Sequence, residues 1–324
     1  MPPRPATSFT AGPLCHATLL VREAAPVVAA YAAIGLVPGA AVTISPAQAR
    51  AWGVPGLAGC AMTGLGVPGA TRAAESFSQP VQHGQQEPPG PAGLLLRVIE
   101  HADARPRPTR FSHGWMALEI LVRDVDALAR RLPAVGFEVV GPPADLDVSP
   151  NIRAMQVVGP AGEMLYLTQV KAAVPPFQIP LSGALPATQP FGPLFIAVMS
   201  TPSRADALAA CAVLAPLQTL QFDTRITVLN RALGHDAQAR WPVATVQFDG
   251  QCLFEIDEVR DPQVGAPPQG TSMSLPHGLA WVTMRTHEPV ASVASAASAV
   301  SAASAASAAL LELSPGAWLE RLAC

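Results

Sequence analysis

Four side chains able to bind ions or move protons stand inside otherwise apolar runs: the imidazole of His16, the guanidinium of Arg97, the carboxyl of Glu119 and the phenol of Tyr166. Two more polar groups sit near the far end, His277 between Pro276 and Gly278, and Glu320 in Trp318-Leu-Glu-Arg-Leu322. A buried charge is costly unless it is paired, so each of these needs a partner or a ligand. Other chemistries lack their signatures, because no G-x-S-x-G elbow, P-loop, dinucleotide glycine fingerprint or H-E-x-x-H occurs. Cys15, Cys60, Cys211, Cys252 and Cys324 are odd in number and form no C-x-x-C pair, which points to free thiols in a reducing cytoplasm.

The elements that carry these residues repeat. Ala17-Thr-Leu-Leu-Val-Arg-Glu23 and Leu118-Glu-Ile-Leu-Val-Arg-Asp124 are apolar strands ending in Val-Arg-acid, and each precedes a helical segment. The spacing from Arg22 to Gly35 and from Arg123 to Gly136 is 13 residues in both cases. In the second copy Asp124 caps the helix, Val125, Leu128, Ala129 and Leu132 share a face, and Gly136 supplies the stop. A strand from Phe137 to Val140, a turn at Gly141-Pro-Pro143, and a hairpin of Arg153–Val158 with Glu163–Val170 follow. The order is strand, helix and three strands.

The same order divides the chain. A first unit spans residues 1–105, including a Pro-, Gly- and Gln-rich loop at 78–92, and a second spans 110–172. A Pro-rich linker at 173–192 leads to a third unit at 193–260, with strands expected around Ile226–Asn230 and Val243–Phe248. A second linker covers 261–276, and 277–324 forms a truncated fourth unit. That last unit contains an alanine tract with serine at every third position from 292 to 307. Such serines spread around a helix of 3.6 residues per turn, so a lengthened helix without a binding stripe is expected.

The chain of 324 residues is 50% hydrophobic and 13% charged, with a net charge of −3 and a mean hydropathy of +0.31. That balance excludes disorder and gives no field for nucleic acid or an anionic membrane surface. No run of roughly 20 strongly apolar residues is present to span a bilayer, and the N-terminus reads as no signal peptide. The expected location is the cytoplasm, with a small-molecule ligand or substrate, no nucleic-acid or membrane partner, and a homo-oligomer allowed.

The repeated βαβββ unit, with Val-Arg-Asp at a strand end and Gly159-Pro-Ala-Gly162 before the last strand, resembles the vicinal oxygen chelate superfamily: glyoxalases, bleomycin-resistance proteins and extradiol dioxygenases. The resemblance implies an α+β fold of four units, the last truncated, forming two paired cups. It also implies metal ligands at a histidine five residues before the strand-end valine and a glutamate four after the hairpin glycine. Carried over, this picks His16, His277 and Glu320, which converge only if the first unit pairs with the fourth. In the second unit both positions are lost, to Ala117 and Tyr166, and in the third Glu255 stands one position off. Such a triad would hold a divalent metal (Fe, Mn, Zn or Ni) in a lyase or dioxygenase acting on a small oxygen-rich molecule. Arg97 takes the place of a metal carboxylate in the first unit and can instead hold a substrate carboxylate, with Tyr166 and Trp115 as further contacts. The alternative is a metal-free small-molecule binding or sequestering protein. Glu119 needs a partner, for which Arg97 is a candidate. Each of these residues also has a purely structural reading, as a core histidine, a solvated glutamate, a snorkelling arginine or a core tyrosine.

Overall fold

The computed structural model describes residues 10–68, 93–104, 112–147, 149–265, 278–287 and 310–323. The Ala/Ser tract, the loop at 78–92 and His277 lie outside them.

Each unit opens with a strand that feeds a helix. β1 (Thr10–Val21) leads into α1 (Ala24–Ile34), β6 (Gly114–Val122) into α3 (Val125–Arg131), and β10 (Phe191–Thr201) into α4 (Arg204–Cys211). The expected caps form: Asp124 accepts from the Ala127 amide at 2.8 Å, and Ser203 accepts from that of Asp206 at 3.2 Å. α1 ends on Gly35, whose φ of 115° lets its N–H reach back to the carbonyls of Tyr31 and Ala32.

The remaining strands complete the units. The first adds β2 (Val37–Pro38), β3 (Val42–Thr43), β4 (Ala61–Gly66) and β5 (Leu94–Glu100), and the second adds β7 (Glu138–Leu146), β8 (Ser149–Val158) and β9 (Met164–Val170). The third adds β11 (Gln218–Arg225), β12 (Arg240–Phe248) and β13 (Cys252–Glu258). The fourth contributes β14 (Gly278–His287), β15 (Leu311–Ser314) and β16 (Ala317–Ala323). Two eight-stranded sheets result. One runs β15-β16-β14-β1-β5-β4-β2, with β3 also on β4, and the other runs β11-β12-β13-β10-β6-β9-β8-β7. The first unit therefore shares a sheet with the fourth, and the second with the third.

Strand alternation assigns the two faces of each sheet. Leu19, Val21, Leu118, Ile120, Ala197, Met199, Phe254, Ile256, Val282 and Met284 point into one core, which the helices α1, α3 and α4 share. The opposite faces curl around separate clusters. That of the first sheet holds Leu20, Ile99 and Trp281, and that of the second holds Ala117, Leu121, Met164, Val198 and Leu253. These are the two cups.

Strand starts and hairpin turns interlock across the sheets. A Cβ on Gly12, at the start of β1, would stand 2.0 Å from the Asp249 carbonyl oxygen. One on Gly114, at the start of β6, would stand 2.6 Å from that of Gly316. Both glycines also have positive φ, 126° and 112°, so no other residue fits these positions without strain.

Three local expectations differ from the structure. Ile226–Asn230 is not a strand; Thr227–Leu233 forms helix α5, stopped by Gly234 at φ 72°. The Gly141-Pro-Pro143 turn is absent, and β7 runs through it with register shifts. Between Val42–Thr43 and β4 the first unit inserts helix α2 (Pro46–Ala51), capped by Ser45, which accepts from the Gln48 amide.

Candidate functional site

The first cup brings His16, Arg97 and Glu320 together. His16 on β1, Arg97 on β5 and Glu320 on β16 share the concave face, and all three are buried. Arg97 Nη1 donates to Glu320 Oε2 at 2.9 Å, Thr283 Oγ1 donates to the same oxygen at 2.6 Å, and Trp52 Nε1 donates to Oε1 at 2.7 Å. The Arg97 guanidinium also lies 5.7 Å from the centroid of the Trp52 ring. Both oxygens of Glu320 are thus occupied by donors, and its charge is matched by a cation belonging to the chain.

His16 stands beside this pair without joining it. Its Nε2 is 3.9 Å from Glu320 Oε2, beyond hydrogen-bond length, and makes no other hydrogen bond. Burial, assisted by the Arg97 charge, holds its pKa well below the ordinary histidine value, so the imidazole is neutral.

Register shows how the repeat places these groups. Thr18 pairs with Arg97 across β1 and β5, and Thr283 pairs with Glu320 across β14 and β16. Arg97 and Glu320 are therefore equivalent positions of two units, and Trp281 is the counterpart of His16. The imidazole expected at His277 is counted from Val282, whereas β14 continues five residues further, to His287. His277 itself lies outside the described residues.

A plug closes this cup. Ile44, Ala49, Trp52, Val54 and Leu57, from α2 and its flanks, pack with Leu20, Ile99 and Trp281, and Trp52 meets Trp281 at 5.4 Å between ring centroids. Sequence reasoning missed this segment. Its signal was Ser45-Pro46, a cap followed by proline at the first helical position.

The second cup has a different character. By the same register argument, Glu119 pairs with Tyr166 and Val198 with Glu255, so Tyr166 and Glu255 hold the positions of Arg97 and Glu320. Glu255 is thus in register. The apparent one-residue offset belongs to Gly250, the hairpin glycine from which the spacing was counted, since the ladder itself pairs Glu255 with Val198. Ala117 and Ile196 stand where the first sheet has His16 and Trp281.

Carboxyl groups gather on this face. Glu119 accepts from Thr168 Oγ1 at 2.6 Å, so its partner is this hydroxyl; Arg97, the candidate from sequence, lies in the other sheet paired with Glu320. Burial, opposed by the Thr168 hydrogen bond and reinforced by the charge of Glu255, raises the Glu119 pKa to about 8. Burial likewise raises Glu255 to about 7. Asp257, two residues along β13 on the same face, is raised well above the usual range by burial and then by Glu255. Neither oxygen of Asp257 finds a hydrogen-bond donor. Tyr166 and Glu255 are only half-buried, whereas His16, Arg97 and Glu320 are fully enclosed.

Trp115 is not brought into either cup. A register shift where β6 meets β10 turns it to the shared core, where its indole N–H donates to the Trp318 carbonyl at 2.6 Å and its ring lies 5.1 Å from Phe254. The segment read as a linker at 173–192 folds over the second cup, with Val174, Phe177, Ile179 and Leu185 against its apolar wall. Leu229 and Leu233 of α5 pack in the same cluster.

Among the described residues no group of three or more His, Cys, Asp or Glu side chains is placed to hold a metal ion. The donor set of the first cup does not fit one either. A guanidinium cannot ligate, and it sits on Glu320, the carboxylate of this cup among the described residues, both of whose oxygens already accept hydrogen bonds.

Compared by sequence, the chain matches no protein-family model and no curated protein. Compared by structure, it matches glyoxalase I from Zea mays, with 13% identity over 86% of this chain and 75% of that one and a TM-score of 0.50. A single-substitution variant of the same maize protein gives 14% identity, 87% and 75% coverage, and a TM-score of 0.50. A putative dioxygenase from Bacillus subtilis gives 11% identity, coverage of 86% and 71%, and a TM-score of 0.49. With its four units paired in the two sheets described above, the chain has the fold of glyoxalase I.

Proposed function

We propose that this protein is a metal-free small-molecule binding protein whose ligand occupies the second cup. The observation that carries the reading is the contrast between the two cups. In the first, Arg97 neutralises Glu320 inside a closed, plugged interior. In the second, Tyr166 and Glu255 keep contact with solvent within a largely apolar wall. A few polar groups converging in an apolar concavity are what a small-molecule site requires. Both cups are completed within one chain, so a partner subunit is not needed to build either.

In the competing reading a divalent ion is held by His16, His277 and Glu320. It requires Glu320 to give up Arg97, leaving a buried guanidinium unpaired, which costs about 3–5 kcal/mol. Metal analysis after equilibration with Fe(II), Mn(II), Zn(II) and Ni(II) tests between them. The expected result is less than stoichiometric metal. Stoichiometric metal that is lost in His277→Ala and Glu320→Ala overturns the proposal. Amide chemical-shift mapping with 1-hexanol then tests the site, with shifts expected along β9 and β13, and their absence there counts against it.

A further inference from the structure

Resting on that reading of the second cup, we infer that Glu255 and Asp257 bind the ammonium group of a small organic amine. Three carboxyl groups face the cup, Glu119 on β6 and Glu255 and Asp257 on β13. No basic side chain forms an ion pair with any of them among the described residues. Glu119 has the Thr168 hydroxyl, but Asp257 is fully buried and both its oxygens lack a donor.

Protonation does not resolve that deficit. A proton on Asp257 would remove its charge but would still leave its carbonyl oxygen without a donor, and each unmet buried polar group costs about 1–3 kcal/mol. What is missing is a donor. A metal ion would be one remedy, but the carboxyls are not grouped for coordination. An alkylammonium offers three N–H donors, one positive charge and an apolar stem. Leu253, Val198 and Ile196 supply the surface for that stem.

A cleft of about 200 Å³ opens at the end of β13, one residue beyond the buried Asp257, which does not line it. It is lined by His235, Trp241, Pro242, Glu258, Arg260 and Asp261. Glu258 directly follows Asp257, and Pro242 directly precedes Val243, the cross-strand neighbour of Asp257. Trp241 lies on the cup face and contributes an aromatic ring at this mouth.

The test is calorimetric titration of the full chain with n-hexylammonium, 1-hexanol and hexanoate at low salt. Hexylammonium is expected to bind at least tenfold more tightly than hexanol, with hexanoate weakest. Asp257→Asn is expected to lose at least tenfold in hexylammonium affinity while keeping its hexanol affinity. Should that variant fail to fold, Glu255→Gln, at a half-exposed position, carries the same comparison. Equal affinity for ammonium and alcohol overturns the inference but leaves the second cup as a binding site. If none of the three probes binds, both readings fall. A substitution that weakens hexanol and hexylammonium equally shows a structural role for these carboxyls and also overturns the inference.

Discussion

Arg97 Nη1 and Glu320 Oε2 meet at 2.9 Å although the repeat places them at equivalent positions of two units. One unit carries a carboxylate and the other its counter-ion, so the pair closes on itself. The energetics follow from burial, since both side chains are at most 7% exposed. Removing one partner strands the other charge, whereas replacing both with apolar groups is often neutral.

Arg97→Met is therefore expected to destabilise the protein by about 3–5 kcal/mol. The double variant Arg97→Met with Glu320→Leu should recover most of that loss. Urea unfolding of the wild type and the three variants measures both, and a double variant no more stable than the single would contradict the argument.

Glu119 gives a pH dependence of definite sign. Its folded pKa of about 8 exceeds the ordinary carboxyl value of 4.5, so the folded state holds a proton that the unfolded chain has released. The associated stability is present below 4.5 and is lost as pH rises through about 8. Glu119→Gln should gain stability relative to wild type at pH 9 and should gain nothing at pH 4. Thermal unfolding at the two pH values decides it.

His16 acts in the opposite sense. Its folded pKa lies well below 6.5, so the unfolded chain binds the extra proton as pH falls. Stability linked to this imidazole is present above pH 6.5 and is lost below it. A His16→Gln variant should lose less stability than wild type between pH 6.5 and 5, read from urea midpoints. Parallel curves for the two proteins would place the neutral histidine elsewhere.

Gly12 and Gly53 separate conformational strain from collision. Both have positive φ, 126° and 74°, but an added Cβ at Gly53 meets nothing within 4 Å, whereas at Gly12 it strikes the Asp249 carbonyl. Gly53→Ala should cost about 1 kcal/mol. Gly12→Ala should cost clearly more, because strand β1 or the 249–250 turn must move. Comparison of melting temperatures tests the ranking.

The short-range pattern was legible in the chain. Val-Arg-acid followed 13 residues later by Gly gave the strand, helix and stop of two units, because caps, glycine stops and apolar spacing are local and act before any tertiary contact. The same pattern brought out His16, Arg97, Glu119, Tyr166 and Glu320 as polar groups in apolar strands, and the fold does bury His16, Arg97 and Glu320 together.

What neighbours each of them was a matter of tertiary structure. Which strand joins β1 depends on contacts between residues more than 260 positions apart, and no local preference encodes that choice. Counting from Gly250 made Glu255 look out of register, and counting from Val282 missed where β14 ends, so His277 looked equivalent to His16, when ladder pairing makes Trp281 the counterpart. One bulge in β6 sent Trp115 to the opposite face. The sequence alone determined the repeat and the chemical groups it carries. Packing decided that one carboxylate is spent on an internal guanidinium while Asp257 is buried at the other cup without a donor, because burial leaves each group only what the opposing strand and the plug bring within reach.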